Sequence, residues 1–312
     1  MDNLSTLHRI RQNVQQVIVG KTQVIDHLLV ALVCSGHVLI EDMPGLGKTT
    51  LVSALAASLG CSFRRIQFTP DVLPSDITGF TMFNLKTGEK ELHPGSILHQ
   101  IVLADEINRT SPKTQSALLE VMQENQVTID GQTYPAPQPF MVLATQNPVE
   151  TAGTYPLPEA QLDRFFMKIS MGYPAHQEEM QILSTHRSRQ NMPQLQAVAS
   201  AEDVLTLQRE VDGILCAPAI MNYIVSLSEA TRQMPDVALG ISPRGSIALM
   251  QAAKGLAMLE GRRYVLPDDV QRMAIPVLSH RLVMRTKAGL RRQTPENLLQ
   301  FVLQSVPVPA AL

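Results

Sequence analysis

The sequence predicts an α/β protein: a mostly parallel sheet covered by helices on both faces, then a second, all-helical domain. Three observations predict it. Strand-like apolar runs alternate with helical segments as far as about residue 173, and from about residue 176 only helical periodicity remains. The run 37–41 leads into Asp42, Met43, Pro44, Gly45, Leu46, Gly47, Lys48 and Thr49, while the run 101–104 leads into Asp105 and Glu106. The first is a phosphate loop, in which glycines let backbone N–H groups turn inward around phosphate oxygens, Lys48 neutralises them and Thr49 offers a hydroxyl to magnesium. The second is a strand ending in two adjacent carboxylates. Asp105 is expected to hold the magnesium shell and Glu106 to polarise an attacking water. Finding both runs, in this order and at strand ends, points to a nucleotide triphosphatase site that takes Mg2+.

The elements follow in order. Leu4, Leu7, Ile10, Val14 and Val17 recur at helical spacing, as do Val24, Leu28, Leu29 and Leu32, so two amphipathic helices precede the loop, separated at Gly20. After it, Leu51, Leu55 and Leu59 mark one helix face and Gly60 stops the helix. The N-terminus of that helix points at the phosphates, where free N–H groups and the dipole favour an anion. Further strands are expected at 63–68, 101–104, 140–144 and 166–169. Between the last but one and its predecessor, 126–129, Asp130, Gly131 and 132–134 read as a β-hairpin with a primed turn. Helices are then expected at 178–189, 201–211, 217–232, 243–260, 267–278 and 295–304, with a loop at 190–196 and a frayed tail at 307–309. Proline after Ser242 and before Asp268 suits helix starts.

At 312 residues two domains are the natural expectation, divided at 1–173 and 174–312. Lys plus Arg number 26 against 28 Asp plus Glu, a net charge of −2, so no global field draws the chain to DNA, RNA or acidic lipid. Cys34, Cys61 and Cys216 lack the spacing of a zinc or redox pair and are expected to be buried free thiols in a reducing compartment. The polar start lacks the apolar stretch of a signal peptide, and the greasy run 24–40 is broken by Asp26, His27 and His37. A cytoplasmic protein with no membrane span is expected.

Long stretches of these residues resemble the MoxR branch of the AAA+ ATPases. They run from Val17, Ile18, Val19, Gly20 through the phosphate loop, then Arg65, Ile66, Gln67, Phe68, Thr69, Pro70, Asp71 and Leu73 to Gly79. Ala104, Asp105, Glu106, Ile107, Asn108 and Arg109 follow, then Ala144, Thr145, Gln146, Asn147 and Pro148, and finally Gly153 to Phe165. The resemblance covers most of the chain. It implies an AAA+ core sheet of strand order 5-1-4-3-2, a helical lid, a helix-2 insertion at about 80–95 and a pre-sensor hairpin at about 123–139. It also implies ATP as the nucleotide and a homo-oligomer, usually a hexameric ring, that acts as an ATP-driven chaperone or remodelling factor, often beside a von Willebrand A domain protein. Two departures stand out: Asp42 replaces the first glycine of a generic phosphate loop, and Ser96, Ile97, Leu98 replace a common Pro-Ile-Phe. Unless Asp42 points away from the triphosphate, its charge opposes binding.

The candidate site is therefore Pro44, Gly45, Leu46, Gly47, Lys48, Thr49 and Thr50 for the phosphates, Thr49 and Asp105 for the metal, and Val19 and Gly20 for adenine. Glu106 is the expected base. Asn147, after its strand, is the expected sensor between γ-phosphate and water, although an Asn-Pro turn explains the same residues. Similarity to the family makes Arg164 the arginine finger entering a neighbouring site, with Arg109 as a competing candidate. Arg244 sits at a helix start, where the dipole disfavours a cation unless an anion faces it, and reads as a second sensor. His280 and Arg281 resemble a lid signature and suggest burial or an intersubunit contact. Competing functions are a nucleic-acid motor, a chelatase motor subunit and a slowly turning nucleotide-gated scaffold. The first is disfavoured because 123–139 contains no Lys or Arg to track phosphates.

Overall fold

The computed structural model describes residues 3–148, 153–186, 195–285 and 294–309. Helices α1 (Asn3–Gln15) and α2 (Thr22–Val33) precede β1 (Val38–Glu41), α3 (Lys48–Ser58) and β2 (Phe63–Gln67). Then come α4 (Pro74–Thr78), a hairpin of β3 (Gly79–Phe83) and β4 (Lys90–Pro94), β5 (Ile101–Asp105) and α5 (Pro112–Glu124). A second hairpin, β6 (Gln126–Ile129) with β7 (Gln132–Pro135), leads to β8 (Met141–Gln146), α6 (Glu159–Leu162) and β9 (Met167–Ile169). The rest comprises α7 (His176–His186), α8 (Ala201–Val211), α9 (Pro218–Gln233), β10 (Val237–Leu239), α10 (Pro243–Leu259), α11 (Pro267–Leu278), β11 (Val283–Met284) and α12 (Pro295–Ser305).

The central sheet is all parallel, ordered β2-β5-β8-β1-β9. Numbered only among themselves and read from the β9 edge, its strands run 5-1-4-3-2, the order the resemblance implied. Side chains alternate between two cores, as a doubly covered sheet requires. Val38, Ile40, Ile101, Leu103, Met141 and Leu143 enter one cluster with Leu28 of α2 and Leu51 and Leu55 of α3. Leu39, Val102, Ala104, Val142 and Ala144 enter the other, with Leu118 and Leu119 of α5. A slip of one residue would exchange the two sets, so register is strongly specified.

The first cluster continues without a break into Leu207 of α8, Leu249, Ala252 and Leu256 of α10 and Val270 of α11. The contact is close: a Cβ added at Gly255 would lie 2.8 Å from the Cys34 sulfur and 3.0 Å from Val30. The N-terminal helices thus pack against both the sheet and the C-terminal helices, and carry lid and sheet on one apolar surface.

Several expectations change in detail. The C-terminal part is not purely helical: β10 and β11 form an antiparallel ribbon pairing Val237 with Met284, its strands too short for a period of two to show. The hairpin expected at 123–139 is narrower, because residues 123 and 124 finish α5, Asn125 caps it at φ 51°, and pairing covers 126–129 with 132–135. Its turn has Asp130 at φ 47° and Gly131 at φ 84°, the left-handed pair that an Asp-Gly primed turn needs. The insertion at 80–95 is the β3–β4 hairpin. The end of the helix expected at 178–189 and most of the loop at 190–196 lie outside the described residues. The three cysteines are free thiols, but each is half-buried at the edge of the first cluster rather than buried as expected. No helix among the described residues is long and apolar enough to cross a membrane.

Candidate functional site: a phosphate cleft at the ends of the parallel strands

The phosphate loop leaves β1 and enters α3 through Gly47, whose φ of 85° matches the 84° of Gly45. A Cβ at either glycine would meet nothing within 4 Å, so it is the left-handed backbone that calls for glycine, not lack of room. Pro44, Gly45, Gly47, Lys48, Thr49 and Thr50 line one wall of an open cleft of about 370 Å³. Leu46 belongs to the loop but does not line the cleft. The Lys48 ammonium donates to the carbonyl oxygens of Asp42 at 2.9 Å and Met43 at 3.1 Å, folded over its own loop.

Asp42 meets the condition its charge imposes. Its buried carboxylate accepts from the Ser170 hydroxyl at 2.8 Å, from the Gly172 N–H at 3.3 Å and from the Met171 N–H. The charge is spent on anchoring the phosphate loop to the segment after β9 rather than facing a triphosphate.

The opposite wall carries the two acids. Asp105, the last residue of β5, accepts from Arg65 Nε at 3.0 Å and Nη2 at 2.6 Å on one oxygen, and from the Thr145 hydroxyl at 2.6 Å on the other. Thr145 in turn accepts from the Glu106 N–H at 2.9 Å. Glu106 itself lies in the left-handed region, φ 59° and ψ 49°, a strained place for a side-chain-bearing residue of the kind that clusters at working sites. Its carboxylate accepts from Gln67 Nε2 at 2.6 Å and pairs with Arg109 at 3.3 Å. Each acid is therefore held by its own guanidinium, and a carboxylate so engaged must be released before it serves as ligand or base. Arg65 and Gln67 were quoted from the sequence without a role. The available signal was their spacing of two on a strand beside the acidic strand tip, which places both on one face.

The donor set suits Mg2+. A threonine hydroxyl and one carboxylate are hard oxygens, and that ion takes one or two carboxylates plus phosphate oxygens and water rather than an all-protein cage. No group of three or more His, Cys, Asp or Glu is assembled for a metal among the described residues.

Asn147 follows β8 and lines the same cleft, so the loop, both acids and this amide converge. The remaining expected residues do not join them within this chain. Arg164 donates to the Leu119 carbonyl at 3.0 Å and lines a separate pocket with Glu120, Glu124 and Gln161. Arg109, its competitor, sits at its own chain's Glu106. Arg244 is half-exposed with Asp163 3.9 Å away, so the anion facing this helix start within the chain is a carboxylate, not the phosphate cleft. Val19 and Gly20 also lie outside the lining of the cleft. Gly20 faces the Glu178 carboxylate, 1.9 Å from a hypothetical Cβ, and the neighbouring Lys21 donates to the Tyr173 carbonyl at 2.8 Å.

Comparison with known proteins agrees with this geometry. Residues 37–167 match the model of the ATPase family associated with various cellular activities (AAA), and residues 229–300 match the AAA lid domain. Chaperone MoxR1 of Mycobacterium tuberculosis is 44% identical, covering 97% of this chain and 82% of its own. Protein MoxR of Paracoccus denitrificans is 31% identical over 95% of this chain and 94% of its own. Protein YeaC of Bacillus subtilis, uncharacterized, is 52% identical over 96% and 93%. A crystal structure from Cytophaga hutchinsonii superposes with a TM-score of 0.91 at 38% identity, covering 98% of this chain and 96% of that one. With the phosphate loop, the paired acids and the strand order in place, the chain belongs to the MoxR family of AAA+ ATPases and is an ATP-hydrolysing enzyme.

Proposed function

We propose that this chain is the subunit of a homo-oligomeric ring, hexameric in the usual AAA+ manner, that uses Mg2+-dependent ATP hydrolysis to remodel or mature partner proteins in the cytoplasm. A chaperone role is supported by Chaperone MoxR1, the 44% identical relative. A von Willebrand A domain protein is the proposed companion, and 1–173 and 174–312 are the proposed core and lid. The observation that carries the reading is the division of the catalytic set. Lys48, Thr49, Asp105, Glu106 and Asn147 line one cleft, whereas Arg164 lines another pocket of the same chain. A site built this way lacks its finger until a second subunit supplies one.

In the proposed mechanism the loop N–H groups and Lys48 hold the triphosphate, Thr49 and Asp105 face the cation, and Asn147 orients the γ-phosphate and the water. Mg2+, when bound, would be held by Thr49 and Asp105 and would supply charge neutralisation to the phosphates. Glu106, freed from Gln67 and Arg109, takes up the water's proton as the water oxygen bonds to the γ-phosphorus and the bond from that phosphorus to the β–γ bridging oxygen breaks, leaving ADP and inorganic phosphate. Arg164 of a neighbouring subunit offsets the charge on the transferring group, an effect of about 10³ to 10⁵ in rate in phosphoryl-transfer systems. Val19 and Gly20 bound the adenine end, and Arg244 links phosphate loss to the lid.

The test is Glu106→Gln. ATP binding should persist while turnover falls by about 10² or more, the usual worth of a positioned base. Hydrolysis at the unmodified rate would remove Glu106 from that role.

A further inference from the structure

His280 and Arg281 follow α11 in a short 3-10 turn, deep in the molecule, and neither belongs to the phosphate cleft. Arg281 is gripped by the segment that carries Arg164. Its Nε donates to Asp163 Oδ1 at 2.8 Å, Nη2 to the Phe165 carbonyl at 2.7 Å, and Nη1 to the Phe166 carbonyl at 3.2 Å. His280 Nε2 lies 3.0 Å from the same Phe165 carbonyl. Burial and the Arg281 charge hold this imidazole well below its usual range, so it stays neutral, and burial pulls the Arg281 guanidinium down to about 10. Asp163 is the sole carboxylate paired with Arg281 among the described residues.

Asp163 has a second oxygen, and Arg244 Nε lies 3.9 Å from it. The first turn of α10 rests on the stem of the same arginine: a Cβ at Gly245 would come within 3.2 Å of Arg281 Cδ. Two lid arginines, one buried and one half-exposed, therefore converge on the residue immediately before Arg164. An isolated structural pair would need only the buried one.

We infer that Asp163 is a positioning residue that couples the lid to the finger: it holds Arg244 when no γ-phosphate is present and, through Arg281, fixes the segment that presents Arg164 to the neighbouring subunit. The inference rests on the sensor and finger roles proposed above. Arg244 sits at Asp163 and does not line the phosphate cleft, so in this coupling ATP binding trades one anion for the other. Its departure removes one of the two cations from Asp163, on the residue next to the finger. Nucleotide state in one site is thereby conveyed to the arginine serving the next.

The test uses calorimetric titration of a non-hydrolysable ATP analogue and of ADP, each with Mg2+, into the unmodified protein, Asp163→Asn, Arg244→Gln and the double variant. Asp163→Asn should tighten binding of the analogue by about two- to fivefold, the range of a half-exposed ion pair, and leave ADP unmoved. That gain should vanish in the Arg244→Gln background. In steady-state hydrolysis Asp163→Asn should lower kcat by about tenfold or more with no rise in KM, because an arginine displaced by about an ångström loses up to about a hundredfold. A selective loss of analogue affinity in Arg244→Gln with no change in Asp163→Asn would overturn the coupling and leave the sensor role standing. No effect of Arg244→Gln on the analogue would overturn both. Hydrogen exchange on the unmodified protein covers the case in which Asp163→Asn does not fold. Segments 242–246 and 159–166 should respond together to the analogue and not to ADP, and a response of the first alone contradicts the coupling.

Discussion

At the residue scale, the site is a set of charges each given a partner before nucleotide arrives. Asp42 is the clearest case, since its sequence position sets a charge beside a phosphate loop and its structure turns that charge onto the Ser170, Met171 and Gly172 donors. Asp42→Ala should leave two backbone N–H groups unsatisfied and cost about 1–3 kcal/mol, read as a lowered Tm. An unchanged Tm would mean that water replaces the carboxylate. That Lys48, Thr49, Asp105 and Glu106 share one cleft was legible because each sits in a short continuous run at the end of a strand. The roles of Arg65, Gln67 and Asp163 were not. Gln67 meets Glu106 across 39 positions and Arg281 meets Asp163 across 118, and no periodicity encodes such encounters.

At the element scale, what positions the cleft is the common ending of β1, β5 and β8 on one side of the sheet. His37, just before β1, stitches that arrangement: Nε2 faces the Met122 carbonyl of α5 at 2.9 Å while Nδ1 accepts from the Val142 N–H of β8 at 3.0 Å. The ring is therefore neutral with its proton on Nε2, and burial pushes its pKa from 6.5 down to about 4. Between those values the unfolded chain binds the proton and the folded one does not. His37 thus contributes stability above about pH 6.5 that is lost as pH falls toward 4, a few kcal/mol at most. The Tm should fall as pH drops through that window, and His37→Gln should flatten the dependence. A Tm insensitive to pH from 7 to 4.5 would contradict the buried neutral ring. Helix and strand periodicities gave α8 and α11 to the residue, because long amphipathic elements repeat their signal. The ribbon of β10 and β11 escaped because two- and three-residue strands carry no period, and their pairing joins residues 237 and 284.

At the scale of the whole molecule, α1 and α2 bind sheet and C-terminal helices into one apolar cluster, so lid motion acts against a shared core rather than a loose linker. With a net charge of −2 and no Lys or Arg in the β6–β7 hairpin, we propose that the chain does not act on nucleic acid. Binding to duplex DNA should be weak and little changed by salt, and tight binding falling steeply between about 50 and 200 mM salt would reverse that view.

The central claim is that each triphosphate is bound by one subunit and hydrolysed with the arginine of the next. Mixing Lys48→Ala with Arg164→Ala subunits tests it, since the first lacks phosphate binding but keeps its finger and the second keeps its site but lacks the finger. Each variant alone should be inactive, and the mixture should regain a measurable share of ATP hydrolysis at the interfaces that join a whole site to a whole finger. A mixture as inactive as its components, in rings shown to contain both subunits, would contradict the claim.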